Sequence, residues 1–170
     1  MNAHDFSLPG VDGRRYSLDE LADGAPLALV WTCNHCPYAQ AWEGRLIDIA
    51  RDYEPRGVRF AAVSSNDAEA YPEDSFDAMR ERARERGYPF PYLYDEDQSV
   101  AHEYGPERTP EVFVFDRERR LVYHGAIDDS RDEHAVTRHY LRDALDAVLA
   151  GREPPVTETP PVGCTVKWRR

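Results

Sequence analysis

Two cysteines that lie two residues apart, Cys33 and Cys36, are the residues of this sequence best suited to chemistry. They follow a continuous apolar run, residues 27–31, which predicts a strand buried on both faces. Apolar residues then recur at helical spacing, so a long helix is expected from about His35 to just before Pro55. Free N–H groups and the dipole at a helix N-terminus favour a negative charge and lower the pKa of a thiol. Cys33 is therefore the predicted nucleophile, and Cys36 is predicted to resolve a mixed disulfide.

Other uses of such a pair fit the sequence less well. A zinc site would need a second pair of ligands, and Cys164 with a distant histidine would be an irregular one. Covalent haem attachment needs a histidine directly after the second cysteine, where Pro37 stands. Two inert structural thiols are the third alternative. We expect no metal and no other cofactor, since no flavin or nicotinamide site is evident, so electrons must come from a separate reductant.

Two further residues were considered for redox roles. An imidazolium at His35, between the cysteines, would stabilise a Cys33 thiolate and make the pair a better oxidant; the alternative is a solvated loop histidine. Cys164 lies where a proline-rich tail becomes apolar again. The preferred interpretation is a buried, unreactive thiol with a raised pKa. The competing one is a third redox thiol, with the tail crossing near Cys33 so that Cys164 accepts its disulfide.

The remaining elements indicate an α/β fold. Asp12-Gly13 between two short polar–apolar runs predicts an N-terminal hairpin. The predicted order is this hairpin, then β-α-β-α, then β-β-α, which implies a mixed central β-sheet with helices on both faces. The later predicted elements are a strand over 58–64, a helix from the Ser75 cap to 86, a hairpin over 111–125 and a last helix over 134–150.

Several motifs together resemble the thioredoxin superfamily and, more narrowly, its peroxiredoxin-like group of redoxin-domain proteins. The resemblance spans nearly the whole chain. The matching segments are residues 33–38 (CNHCPY), 71–74 (YPED), 108–113 (RTPEVF), 123–129 (YHGAIDD) and 163–168 (GCTVKW).

The resemblance implies a thioredoxin fold with an N-terminal β-hairpin extension and an insert around residues 66–91. Residues 1–170 would form one thioredoxin-like domain, with an extended C-terminal tail, 152–170, packing on it. A cis peptide bond before Pro110 is also implied, beside a Cys33–Cys36 disulfide. The Thr109 backbone would then be exposed to pair with an extended substrate segment. The plain alternative is a trans proline that begins an edge strand.

The sequence departs from both families at the motif. Thioredoxin has tryptophan before its first cysteine, and here Thr32 stands there. Asn34-His35 replaces the Gly-Pro between the thioredoxin cysteines, and Leu27 stands where thioredoxin has a buried aspartate. Typical peroxiredoxins place threonine three residues before the peroxidatic cysteine, and that position is Cys33 here.

Composition restricts the partners. The 170 residues carry 32 acidic and 21 basic side chains, for a net charge of −11, which argues against nucleic acid and anionic membranes as partners. The polar start lacks the pattern of a secretory signal, so a cytoplasmic location is expected. Lys167 is the only lysine, which fits either coding bias in a GC-rich genome or adaptation to a salty cytosol.

These observations predict a thiol–disulfide oxidoreductase that acts on protein or small-molecule disulfides and dithiols through Cys33 and Cys36. One alternative is a thiol peroxidase, in which Cys33 forms a sulfenic acid that Cys36 or Cys164 resolves. Another is a redox sensor without enzymatic activity.

Overall fold

The structure of the protein, a computed structural model, describes residues 1–170. None of its helices is both long enough and apolar enough to cross a membrane. In chain order, the strands are β1 (Ser7–Pro9), β2 (Arg15–Ser17), β3 (Leu27–Trp31), β4 (Arg59–Ser64), β5 (Tyr92–Tyr94), β6 (Arg108–Thr109), β7 (Glu111–Phe115), β8 (Leu121–Gly125) and β9 (Cys164–Thr165). The helices are α1 (Leu18–Ala22), α2 (Pro37–Tyr53), α3 (Phe76–Arg86), α4 (Ser99–Tyr104) and α5 (Tyr140–Leu149).

A five-stranded mixed sheet lies at the centre, in the order β5-β4-β3-β7-β8. Strands β3, β4 and β5 are parallel to one another, whereas β7 is antiparallel to β3 and β8 is antiparallel to β7. Strands β1 and β2 form the expected N-terminal hairpin. The prediction of a mixed sheet with helices on both faces is confirmed.

The middle strand, β3, is buried on both faces, as its apolar run predicts. Ala28 and Val30 point into one core, which includes side chains of α2, α3 and α5. Leu29 and Trp31 point into a second core on the opposite face, which includes side chains of α1 and α4. The two cores hold the end of β3, and the loop that follows it, in a fixed position.

The first long helix, α2, begins at Pro37, two residues later than expected. Cys36 is its N-cap, with an extended backbone (φ −71°, ψ 123°). Proline disfavours helical geometry in the preceding residue but is well tolerated in the first helical turn. Cys33, Asn34 and His35 therefore lie in a loop before the helix and not in its first turn.

The last helix begins at Tyr140 and not at residue 134, so the predicted N-terminus was wrong. Residues Glu133–Ala135 form a short 3₁₀ turn instead. The Asp129 carboxylate then accepts hydrogen bonds from the backbone N–H and the hydroxyl of Thr137. A side chain that binds the backbone in this way stabilises an extended segment at the expense of a helix.

The C-terminal tail runs back across the sheet edge. His124 in β8 donates its backbone N–H to Thr157 and accepts one from Thr159, and β9 then pairs antiparallel with β6. The insert after β4 contains a 3₁₀ turn, Pro72–Asp74, and helix α3. Tail and insert both approach the loop that carries Cys33.

Candidate redox site

The three cysteines meet at the end of β3. Cys33 follows that strand, Cys36 caps α2 and Cys164 begins β9. The structure joins Cys36 to Cys164 by a disulfide and leaves Cys33 as a buried free thiol. Cys33 and Cys36 pack together, and Cys164 packs against them. The expected Cys33–Cys36 disulfide is therefore not the one that forms here.

The tail brings Cys164 to this position by strand pairing. Cys164 is the partner of Thr109 in the β6–β9 register, and Val166 donates its backbone N–H to Glu107. A Cβ atom on Gly163 would collide with the Thr109 carbonyl, so only glycine fits at this crossing. Cys164 is therefore not the buried free thiol of the preferred interpretation. The tail does cross the site, but the partner of Cys164 is Cys36 and not Cys33.

The peptide bond between Thr109 and Pro110 is cis, as the resemblance implied. Thr109 lies against both motif cysteines: its hydroxyl oxygen is 3.6 Å from the Cys33 sulfur, and its carbonyl oxygen is 3.6 Å from the Cys36 sulfur. The backbone edge expected to receive a substrate segment is occupied by β9. The structure thus places this chain's own tail where an external strand was predicted.

Cys33 does not have the activated thiol that the sequence predicts. Only 2% of its surface is exposed. Burial, reinforced by the negative charge of Asp74, raises the pKa of the Cys33 thiol to about 11. The backbone N–H groups of Cys36 and His35 do favour the thiolate, but burial outweighs them. Cys36, at the N-terminus of α2, holds the position that best stabilises a thiolate.

Asp74 is the residue of this site that the sequence analysis did not single out. It is fully buried, and its Oδ1 accepts the backbone N–H groups of Asn34 (2.8 Å) and His35 (3.3 Å). Its Oδ2 accepts a hydrogen bond from the Asn66 amide at 2.9 Å. Asp74 belongs to the YPED motif, residues 71–74, which the sequence analysis did note. Nothing in the local sequence indicates that this motif folds under Cys33.

His35 also binds Asp74. Its Nδ1 lies 2.5 Å from Asp74 Oδ2, and its ring stacks on Tyr71 with the centroids 5.6 Å apart. The ring is 24% exposed, so it is neither a solvated loop side chain nor a cation held against Cys33 alone. The structure brings together all the predicted site residues, Cys33, His35, Cys36, Thr109, Pro110 and Cys164, and adds Asp74 to them.

Cys33, His35 and Asp74 are also residue types that bind metals, and their donor atoms lie within 4.8 Å of one another. Around one tetrahedral zinc ion, nitrogen and oxygen ligands at about 2.0–2.2 Å from the metal would be roughly 3.4 Å apart. His35 Nδ1 and Asp74 Oδ2, 2.5 Å apart, are closer than two ligands of one zinc ion would be, and this Nδ1 makes no hydrogen bond of normal geometry. Both Asp74 oxygens already accept other donors. The spacing of these groups is therefore not that of a tetrahedral zinc site.

The sequence and the fold match known proteins. The model of the AhpC/TSA family matches residues 1–124. An uncharacterized conserved protein from Geobacillus kaustophilus is 45% identical, with a TM-score of 0.94 over 99% of this chain and 91% of that one. A hypothetical protein from Sinorhizobium meliloti is 42% identical, with a TM-score of 0.94 over 99% and 93% of the two chains.

More distant structures share the fold. The peroxidoxin BcpB from Mycobacterium tuberculosis is 21% identical, with a TM-score of 0.67 over 89% of this chain and 95% of that one. No curated protein matches the sequence significantly. The comparisons therefore establish a thioredoxin-fold protein of the redoxin type.

Proposed function

Because the chain belongs to the AhpC/TSA family, we propose that it is a thiol–disulfide oxidoreductase with three working cysteines, in which Cys36 forms disulfides alternately with Cys33 and Cys164. The observation that carries this proposal is the arrangement of the sulfurs. Cys36 is bonded to Cys164 and also packs against the free thiol of Cys33.

Exchange with the outside would take place at Cys164. Its side chain is half-buried, whereas Cys33 and Cys36 are almost fully buried. An external thiolate that attacks the Cys164 sulfur forms a mixed disulfide there and releases Cys36 as a thiolate. The N-terminus of α2 stabilises that leaving group.

An internal exchange would connect the buried thiol to this surface. The Cys33 thiolate attacks the Cys36 sulfur, the Cys33–Cys36 bond forms, the Cys36–Cys164 bond breaks, and Cys164 leaves as a thiolate. The number of disulfides is unchanged, so no oxidant or reductant is consumed in this step. In a complete cycle, a substrate disulfide takes two electrons from the cysteines, and an external dithiol returns them.

Serine variants test this assignment in an assay of disulfide reduction driven by dithiothreitol, with insulin and oxidised glutathione as substrates. Cys36→Ser should reduce the rate to the uncatalysed background, because both disulfides need Cys36. Cys33→Ser and Cys164→Ser should each keep a reduced rate, because each retains one pair. If Cys164→Ser has full activity and Cys33→Ser has none, only the first two cysteines work. No acceleration by the wild type would contradict the function itself.

Membership of the AhpC/TSA family supports a thiol peroxidase as the second candidate. The environment of Cys33 is unfavourable for it, since a sulfur that is only 2% exposed is shielded from peroxide in solution but packs against Cys36 inside the protein. Stopped-flow oxidation of the reduced protein by hydrogen peroxide separates the candidates. A peroxidase would react far faster than a free thiol, and an oxidoreductase would not. A redox sensor would change disulfide state without turnover in either assay.

A further inference from the structure

The pair formed by Asp74 and His35 has no role in the exchange described above, although it lies beside the thiol that must react. Asp74 is fully buried under the loop, and a ring nitrogen of His35, the Cys33 sulfur and an Asp74 oxygen lie within 4.8 Å of one another. The exposed edge of His35 reaches solvent. The three groups thus form a path from a buried thiol to the surface.

The hydrogen bonds that Asp74 accepts are those typical of a carboxylate. Two backbone N–H groups, of Asn34 and His35, and the Asn66 amide already donate to it. These are donor groups that an ionised carboxylate accepts fully. The remaining approach is made by the buried Nδ1 of His35, which lies 2.5 Å from Asp74 Oδ2 and has no hydrogen-bond partner of normal geometry, so the carboxylate can stabilise a positive charge on the ring.

Cys33 needs a nearby proton acceptor if it is to attack Cys36. With 2% of its surface exposed, its proton has no direct route to bulk water. The hydroxyl of Thr109, 3.6 Å from the sulfur, is a weak partner, and the nearby phenol of Tyr92 is already bonded to Asn34. The acceptor must therefore be part of the site.

We propose that Asp74 and His35 act together as the internal proton acceptor for Cys33, a role that rests on the proposed exchange function. The proton leaves the Cys33 sulfur for the imidazole of His35, and the Asp74 carboxylate stabilises the imidazolium. The Cys33 thiolate then attacks Cys36 and displaces Cys164. The displaced Cys164 thiolate takes a proton from solvent, and His35 returns one to solvent, so protons balance over the step.

Other titratable groups around the pair are few. Tyr71 stacks on the His35 ring, and the Lys167 ammonium lies 5.8 Å from the centre of the Tyr71 ring. Glu73 is exposed, and its backbone carbonyl, not its carboxylate, binds Asn34. Glu73→Gln is therefore a matched control, because it makes the same carboxylate-to-amide change one residue away.

The test follows the internal exchange directly. Protein with the Cys36–Cys164 disulfide and a reduced Cys33 is mixed with saturating N-ethylmaleimide and no reductant. Each exchange exposes Cys164 for labelling, and peptide mass spectrometry quantifies labelled Cys164 together with a Cys33–Cys36 disulfide. The rate is measured from pH 6 to pH 10 for the wild type, Asp74→Asn, Glu73→Gln and His35→Gln.

Asp74→Asn should slow the exchange at pH 7 on the order of 100-fold, the usual contribution of a positioned base. The loss should shrink as the pH rises towards the raised pKa of Cys33, because a growing fraction of the thiol is then ionised without help from the pair. Glu73→Gln should match the wild type. His35→Gln should reproduce the altered pH profile, and it serves as the test if Asp74→Asn does not fold.

Two further outcomes would overturn the proposal in different ways. If Asp74 only disfavours the Cys33 thiolate, Asp74→Asn exchanges as fast as the wild type or faster at pH 7. If Asp74 only holds the loop, Asp74→Asn slows equally at every pH, as Asn34→Ala should. In both cases the exchange function stands. If the wild type itself never exposes Cys164 to the reagent, the exchange function falls, and the proton assignment falls with it.

Discussion

Glu111, the residue after the cis proline, holds the strand against which the tail packs. It is fully buried, and its Oε1 accepts the backbone N–H groups of Glu107 (3.0 Å) and Arg108 (3.1 Å). Its Oε2 lies 2.7 Å from Nε2 of His124, whose ring stacks on Phe113. One carboxylate thus joins β6, β7 and β8 beneath the tail.

The His124–Glu111 contact should make stability depend on pH. The hydrogen bond to Glu111 raises the pKa of His124 above its ordinary value of about 6.5. A raised pKa in the folded state stabilises the protein below the unfolded pKa, and this contribution is lost as pH rises through the folded pKa. Urea unfolding from pH 5.5 to 8.5 should therefore show a fall in the free energy of unfolding.

His124→Gln should flatten that dependence, since glutamine does not titrate. His134→Gln is the matched control, because that histidine is exposed and outside the cluster, and it should keep the wild-type slope. Parallel curves for the wild type and His124→Gln would show that the Glu111 contact contributes no pH-dependent stability.

Among the secondary-structure elements, strand β9 can pair with β6 only because residue 163, just before it, is a glycine. The Gly163→Ala methyl group would meet the Thr109 carbonyl, which is backbone and has little room to move. We expect Gly163→Ala to separate β9 from β6. Under mild oxidation the yield of the Cys36–Cys164 disulfide should then fall, and Cys164 should be alkylated in the native protein.

Gly44→Ala is the control for this variant. Gly44 lies inside α2 with open space around it, so alanine should raise the free energy of unfolding by about 0.5–1 kcal/mol and leave the disulfide intact. A Gly163→Ala protein that forms the disulfide as completely as the wild type would contradict the described strand crossing.

Elements with a strong local pattern were predictable from the sequence, and those that depend on distant contacts were not. The apolar run of β3, the Asp12-Gly13 hairpin and the Ser75 cap of α3 all carry their own signals, and all three elements are present. The start of α5 was predicted too early. The hydrogen bond from the Thr137 N–H to the Asp129 carboxylate holds the segment before α5 outside the helix, and it has no signature in the hydrophobic pattern of the sequence.

The site was predicted in its residues but not in its connections. The pairing of Cys36 with Cys164 depends on where the tail runs, and that path is determined by contacts such as Thr159 with His124. The pKa of Cys33 was predicted in the wrong direction, because burial raises it and Asp74 adds to the effect. Both depend on chain segments that are distant in sequence and whose folded positions no local pattern reveals.

For the molecule as a whole, the disulfide joins residues 128 positions apart and so closes most of the chain into a loop. Such a cross-link restricts the unfolded chain, and the typical gain is about 2–4 kcal/mol. Cys164→Ser should lower the free energy of unfolding by about this amount under oxidising conditions.

Reduction provides the control for this prediction. With a phosphine reductant present, the wild type loses the same cross-link, so the two proteins should agree within about 0.5 kcal/mol. If Cys164→Ser is as stable as the oxidised wild type in denaturant titrations, the disulfide does not stabilise the protein by restricting the unfolded chain.

Peptide mapping of the oxidised protein without reduction tests the central role of Cys36 most directly. The protein is oxidised with a mild disulfide reagent, free thiols are alkylated after denaturation at low pH, and the digest is analysed by mass spectrometry. We predict a peptide pair linked through Cys36 and Cys164, with Cys33 alkylated and a minor Cys33–Cys36 product. Complete Cys33–Cys36 linkage with Cys164 alkylated would contradict the account.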